Sequence, residues 1–326
     1  MKTRLIAFTD RGYELAERIA EWIGSKAERC KNGGLNKWTG EAFAEAEVII
    51  FIGAAGIAVR AIAPYVRHKA EDPAVIVIDE TGKFVIPILS GHLGGANEAA
   101  EMLAEKLGAM SVITTATDRN GVFAVDTWAK KQGCAIADPE NIKNVSAKLL
   151  KGEKVYFLSE FKIEGTVPKE VEQGTAEMYD FYVGIHNADE RKLICVPKIV
   201  VLGIGCKKGT AREKLEKRLK LFLEENKLAE CAVCEVCSID IKKDEEGLVS
   251  FCGAHGWPLK TFSAEQLSEA KGDFSASVFV SQTVGVDNVC ERSAVLGSGG
   301  NIIARKFAGD GVTIAAAVKA FEPEWE

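Results

Sequence analysis

The run VIIFI at Val48–Ile52 constrains this chain more than any other feature: five consecutive apolar residues, then Gly53, two alanines, Gly56 and a helical pattern. A half-solvated strand alternates apolar and polar side chains, so an unbroken run reads as a strand buried in a layered core. The surroundings repeat the arrangement. RLIAFT reads as a strand, and ELAERIAEWIG as a helix with Leu15, Ile19 and Trp22 or Ile23 on one stripe. AVIVID and FVIPIL are apolar runs joined by the hairpin-length turn ETGK. Pro87 has no N–H for a ladder, which puts the second strand at an edge or near its end. Helix NEAAEMLAEKLG stops at Gly108, strand SVITT follows, and helix FAVDTWAKKQG stops at Gly133.

From Cys134 to Pro197 the strands are weaker (KVYFLS, MYDFYVGI), between charged segments bearing glycine and proline. The strand IVVLGIG, the loop CKKGT and the amphipathic helix AREKLEKRLKLFLEEN then restart the α/β pattern. With 326 residues the chain exceeds what one core organises. The predicted fold class is α/β: two α/β domains with mostly parallel sheets, residues 1–134 and 198–326, joined by a small α/β linking subdomain at 135–197.

Composition narrows the function. The formal net charge is −6 and basic residues are dispersed, so nucleic acid is not an expected partner. The longest apolar runs are too short and glycine-rich to span a bilayer, and the segment after Met1 is too short for a signal-peptide core. The expectation is a soluble cytoplasmic protein with no membrane partner. Nine scattered cysteines, an odd count in a chain large enough to need no staples, read as reduced thiols.

In ILSGHLGGANEAAEML, Ser90, Gly91, His92, Gly94 and Gly95 lie between a strand and a helix N-terminus, where unbonded N–H groups and the helix dipole favour an anion or carbonyl oxygen. The alternative is a tight turn with a packed histidine. Two loops of the same kind flank it, GAAGIAVR after VIIFI and TATDRNG after VIT. Loops at the carboxyl ends of strands in an open α/β sheet converge on one crevice. Gly53, Gly56, Arg60, His92, Asn97, Thr115, Thr117 and Asp118 are therefore expected to share a site with the Ser90–Gly95 turn.

The loop GIGCKKGT (Gly203, Gly205, Lys207, Lys208, Gly209, Thr210) is again a glycine-rich, basic strand-to-helix junction suited to a carboxylate or phosphate. It also fits a loose dinucleotide pattern, but the acidic residue expected about twenty positions on is represented only by Glu230, ahead of the next strand. CAVCEVC lacks the fourth cysteine of an iron–sulfur run, Ile241 standing in its place. A zinc tally of Cys234, Cys237, Cys252 and His255 competes with ordinary packing, and no metal site is assigned. In VGVDNVCERSAVLGSGG an Asp or Asn caps a helix whose neighbouring Glu291 and Arg292 read by default as a solvated face. The chain has no G-x-S-x-G elbow, H-E-x-x-H helix or full Walker loop.

Together, FIGAAGIAVRAIAP, VIDETGKFVIPILSGHLGGANEAA and ITTATDRNGVFAVDTWA resemble the N-terminal domain of the CbiG family, the cobalt-precorrin 5A hydrolases of anaerobic cobalamin biosynthesis. VLGIGCKKGT, SIDIKKDEEGL, FSAEQL and VGVDNVCERSAVL are similar to the CobE-like half of that family, while residues of about 135 to 197 match loosely and the cysteines of CAVCEVC depart from the pattern. The resemblance implies a cobalt-containing, ring-contracted tetrapyrrole as substrate, its δ-lactone opened and a two-carbon fragment lost as acetaldehyde. It implies no cofactor of the protein's own, since the cobalt travels with the substrate. Glycine nests and a few cations suit the substrate's acetate and propionate groups, and Glu291 joins the substrate-contacting set. On this reading His92 is general base or acid, the Gly94 and Gly95 N–H groups stabilise an oxyanion, and Asp118 orients His92 or trades protons with it. A homodimer and transient contact with other enzymes of the pathway stay open. The competing readings are a non-enzymatic tetrapyrrole carrier and a nicotinamide-dependent oxidoreductase.

Overall fold

A computed structural model describes residues 2–31, 33–67, 71–91, 94–114, 122–275 and 286–325. The chain divides into two compact units, Met1–Thr127 and Trp128–Glu326, and the fold is α/β with three mostly parallel sheets. No described helix is long and apolar enough to cross a membrane.

The first unit is a six-stranded sheet of β1 (Thr3–Ala7), β2 (Ala27–Arg29), β3 (Val48–Ile52), β4 (Ala74–Ile78), β5 (Phe84–Leu89) and β6 (Met110–Ser111), in the order β2-β1-β3-β4-β5-β6. The strand VIIFI is buried because both faces of the sheet are covered. Val48, Ile50 and Ile52 pack with helices α1 (Asp10–Ile23) and α4 (Ala96–Leu107), while Ile49 and Phe51 pack with α2 (Leu35–Glu45) and α3 (Ala55–Ile62). On α1 the inner stripe takes Leu15, Ile19 and Ile23, and Trp22 lies at the surface beneath Arg18 and Lys106.

β4 and β5 form the hairpin that ETGK predicts. Asp79 shapes the turn by accepting from the Thr81, Lys83 and Phe84 backbone N–H groups and from the Thr81 hydroxyl, and Gly82 supplies a φ of +69°. Burial pushes the Asp79 carboxyl upward, but these hydrogen bonds together hold it below its ordinary value. β5 is internal, yet β6 pairs only Phe84 and Val85, so Pro87 falls beyond the paired stretch where a missing N–H costs no ladder bond. Of SVITT, expected as a full strand, Ser111 alone among the described residues lies in β6, next to Met110, and Val112 adds one bond to Val85.

The second unit carries two sheets. Helix α5 (Val125–Lys131) leads into β7 (Cys134–Ile136), β8 (Val155–Ser159), β9 (Val171–Gln173), β10 (Phe181–Val183) and β11 (Leu193–Pro197), in the order β7-β11-β10-β8-β9, with α6 (Ile142–Leu150) beside them. The chain's last residues return to this sheet. Trp325 stacks on Trp128 with centroids 5.0 Å apart and meets Phe157 edge-on, and its backbone N–H donates to the Glu164 carbonyl at 2.7 Å.

The other sheet has β12 (Val200–Cys206), β13 (Val233–Ile239), β14 (Leu259–Phe262), β15 (Ile302–Gly309) and β16 (Val312–Val318), in the order β14-β13-β12-β16-β15. Helices α7 (Arg212–Asn226) and α8 (Glu246–His255) bury Leu215, Leu219, Phe222 and Phe251 on one face. The short α9 (Ala264–Glu269) and helix α10 (Cys290–Ser298) cover the other, around Val201, Cys237 and Val289.

Candidate functional site

Strand direction decides which loops can meet. In the first unit β1, β3 and β4 are parallel, with Ile52 beside Ile78, so Gly53 and α3 lie at the carboxyl end of β4. β5 runs the other way and sets Leu89 opposite Val75, so the turn that follows lies at the amino end of β4. The hydroxyl of Ser90 confirms the position by donating to the carbonyl of Asp72, just before β4, at 2.9 Å. The single crevice expected from all three loops is thus corrected: Gly53, Gly56 and Arg60 occupy one end of the sheet, and Ser90, Gly91, Gly94, Gly95 and Asn97 the other. The convergence rule holds for parallel strands, and a hairpin reverses the direction.

The first loop lies where the strand order changes direction, between β1 and β3, which is the usual ligand crevice of such sheets. Gly53 has φ +154° and its backbone N–H donates to Ile78 at 2.8 Å; an added Cβ would stand 2.7 Å from the Phe8 ring. Arg60 is exposed and folds back to donate to the Gly56 carbonyl at 2.9 Å.

The described residues of the second loop pack closely on one another. Ser90 is buried at φ +55°, rare for a residue with a side chain, and Gly95 caps α4 at φ +83°. The Ala96 and Asn97 N–H groups donate to the Ser90 and Gly91 carbonyls at 3.2 and 3.0 Å. A Cβ on Gly91 would stand 2.8 Å from the Asn97 side-chain oxygen, and one on Gly94 would overlap Ser90. Ser90, Gly91, Gly94, Gly95 and Asn97 are therefore brought together. His92, Thr115, Thr117 and Asp118 lie outside the described residues.

In the second unit the glycines of GIGCKKGT have packing roles. A side chain on Gly203 would overlap the Cys290 carbonyl of α10, and a Cβ on Gly205 would stand 2.7 Å from the Thr313 hydroxyl. Close helix-to-strand approach accounts for both. Past β12, the backbone N–H of Lys207 donates to the Gly311 carbonyl at 3.0 Å, Thr210 donates to the Lys207 carbonyl at 2.7 Å, and Lys208 is exposed. The Gly209 N–H, which an outside anion would have used, already donates to Glu245 at 2.6 Å. Lys242 donates to the same carboxylate at 2.8 Å. That hydrogen bond, with the Gly209 N–H and the charges of Lys242 and Lys208 against an opposing burial effect, holds the Glu245 carboxyl below its ordinary value.

Glu291 and Arg292 do not form a solvated face. Glu291 is fully buried and accepts from the Ser275 N–H at 2.7 Å and hydroxyl at 3.0 Å, the Asn288 amide at 2.8 Å and the Lys306 N–H at 2.9 Å. Asn288 is the capping residue, its side-chain oxygen accepting from the Glu291 N–H. Arg292 pairs with Asp287 at 2.8 Å and covers the Phe274 ring. The zinc tally is not assembled either: Cys237 and Cys252 pack on opposite faces of the sheet, and His255 reaches Glu216 at 2.9 Å and Glu230 at 3.0 Å with its two ring nitrogens. Burial drives the Cys252 thiol up to about 12, and the Cys237 thiol is likewise raised.

One cluster escapes the sequence reading. Glu160 and Gly184 follow the carboxyl ends of the adjacent parallel strands β8 and β10. Glu160 accepts from the Tyr182 hydroxyl and from the Ile185 N–H at 3.0 Å, and meets Nδ1 of His186 at 2.5 Å. Burial, then the Glu160 hydrogen bond, raises the Tyr182 hydroxyl far above its ordinary value, so it stays a donor. A Cβ on Gly184 would stand 2.7 Å from the Glu160 carboxyl carbon, so glycine there makes room for the cluster. The glycine and histidine of FYVGIH are the available signal, but their acidic partner lies 26 residues away.

Three family models follow one another along the chain: "Cobalamin synthesis G N-terminal" over residues 37–118, "Cobalamin biosynthesis central region" over 123–183 and "Cobalamin synthesis G C-terminus" over 200–317. A protein of Salmonella typhimurium, strain LT2, named cobalt-precorrin-5A hydrolase, is 36% identical over 96% of this chain and 97% of its own length. The chain belongs to the CbiG family. A second relative of the same name, from Priestia megaterium, is 31% identical over 84% of this chain and 79% of its own. The solved structure of CobE, described as a protein of the cobalamin (vitamin B12) biosynthetic pathway, matches 39% of this chain and 94% of its own at 25% identity, with a TM-score of 0.36. The central model extends the likeness through residue 183, into the stretch that resembled the family only loosely. CbiG membership places the chain among the hydrolases of cobalamin biosynthesis.

Proposed function

We propose that this CbiG protein opens the δ-lactone of cobalt-precorrin 5A, a ring-contracted cobalt tetrapyrrole, and releases the freed two-carbon fragment as acetaldehyde. The observation that carries the reading is likeness to hydrolases of that name at 36% identity over almost the whole chain, across both compact units. Cobalt enters as part of the substrate.

Lactone hydrolysis requires a base for the attacking water, donors for the developing oxyanion, and a proton for the leaving oxygen. In our reading His92 takes and returns the proton and Asp118 orients it, with the backbone N–H groups of Gly94 and Gly95 facing the oxyanion. Support comes from the tight turn at the start of α4: the Ala96 and Asn97 amides close it internally, and no described residue accepts from the Gly94 or Gly95 amide. Ser90, Gly91, Asn97, Thr115 and Thr117 would contact the macrocycle there. Gly53, Gly56 and Arg60 at the opposite end of that sheet are assigned to its carboxylate arms. In the second unit the same assignment goes to the side chains of Lys207 and Lys208, with Gly209 and Thr210 holding the loop through their bonds to Glu245 and the Lys207 carbonyl. Gly203, Gly205 and Glu291 act by shaping that end of the sheet.

Incubating purified protein with the lactone and trapping acetaldehyde tests the reading. Release well above the buffer rate, abolished in His92→Ala, is expected; release no faster than buffer refutes hydrolysis and leaves at most a carrier.

A further inference from the structure

Glu160, Tyr182 and His186 form a built acid–base cluster that the reading above leaves unused. With the Glu160 carboxylate as acceptor, the hydrogen of the His186 ring sits on Nδ1, which leaves a lone pair on Nε2. The His186 side chain is 45% exposed, and no described residue bonds its Nε2. The backbone on either side is fixed: Ile185 donates to Glu160, and Asn187 donates to the Lys227 carbonyl at 2.7 Å. His255 offers the contrast, since both of its ring nitrogens meet carboxylates. A carboxylate on Nδ1, a free Nε2 and a locked ring are the attributes of a general base. The site stands at the carboxyl ends of adjacent parallel strands, the edge where α/β sheets present their chemistry.

We propose that His186, positioned by Glu160 and Tyr182, carries the proton that accompanies release of the two-carbon fragment. The assignment rests on the lactone-opening reading. Once the ring is opened, the arm carries a hydroxyl on the carbon destined to become the aldehyde. Nε2 takes that hydroxyl proton as the C–O bond becomes a carbonyl. The C–C bond to the macrocycle breaks, its electron pair stays on the macrocycle carbon, and the imidazolium Nε2–H returns the proton to that carbon. Atoms and charge balance with no oxidant or reductant.

Two measurements decide it. In a mass-resolved time course with the lactone, His186→Asn should accumulate the opened, water-added macrocycle and release acetaldehyde at least about 100-fold more slowly than the parent. His92→Ala should instead leave the lactone closed, so the two assignments fail separately. Glu160→Gln should slow the same step and shift its pH profile, whereas a cluster that serves only folding would alter melting temperature and leave the profile unmoved. Without substrate, nitrogen NMR of the imidazoles should show His186 with hydrogen on Nδ1 and a lone pair on Nε2, a state lost in Glu160→Gln. Acetaldehyde release at the parent rate from a folded His186→Asn protein, or hydrogen on Nε2 of the neutral ring, overturns the proposal.

Discussion

Val75 stands opposite Leu89 in the antiparallel β4–β5 pair, and this one register places the Ser90–Gly95 turn at the far end of the sheet from Gly53. Two of the glycine-rich loops of the first unit therefore lie at opposite ends of one sheet, and on the proposed reading each would be a separate place of attachment. If both touch one macrocycle, they do so from opposite ends of the sheet, and their substitutions should have separable effects. Arg60→Ala is predicted to raise KM several-fold with kcat nearly unchanged, because a remote carboxylate contact contributes to ground and transition states alike. A fall in kcat with KM unmoved would place Arg60 in the chemistry instead.

Gly203→Ala should destabilise the second unit by about 2 kcal/mol or more, since the added methyl overlaps the Cys290 carbonyl and the sheet or α10 must shift. Urea unfolding measures it. If instead stability holds and affinity for the macrocycle falls, the glycine serves ligand approach.

Glu291→Ala should cost roughly 3 kcal/mol, by leaving the Ser275, Asn288 and Lys306 donors without their buried acceptor. Hydrogen exchange should quicken first at Ser275 and Lys306, which the carboxylate joins. Exchange unchanged at those two amides would contradict the assigned role.

Glu245 gives a pH-dependent prediction. Its folded-state carboxyl is held low by Lys242 and Gly209, so its contribution is complete above the unfolded-state value of about 4.3 and is lost as pH falls through the lower folded value. Parent and Glu245→Gln melting temperatures should differ at neutral pH and converge in acid. A difference that grows toward acid has the wrong sign.

Much of the architecture is legible in the sequence for identifiable reasons. VIIFI announces a strand covered on both faces because no position in it tolerates water, and ETGK announces the hairpin because Asp79 and Gly82 meet the turn's demands. The same hairpin implies that β5 reverses, so a common crevice for the three loops conflicts with a feature readable in the same residues. Other relationships leave no local trace. Gly203 looks like a ligand glycine because the constraint comes from Cys290 on a distant helix, and Glu291 beside Arg292 looks solvated because its donors come from Ser275 and Lys306. The meeting of Glu160 with His186 depends on parallel pairing of β8 and β10, which joins segments otherwise linked only through β9.

Lys208 provides a cleaner electrostatic test than Lys207, whose aliphatic chain packs on Gly311. Lys208→Ala should weaken macrocycle binding several-fold at low salt, with the difference shrinking as ionic strength rises. Equal affinities at low salt would remove the loop from the binding surface.

The most direct measurement runs the purified protein with the cobalt lactone in water enriched in heavy oxygen, weighing the macrocycle and counting acetaldehyde together. Acyl–oxygen hydrolysis predicts one heavy oxygen in the new carboxylate and one acetaldehyde for each macrocycle converted. An unlabelled macrocycle, with acetaldehyde no higher than in a protein-free control, would contradict it.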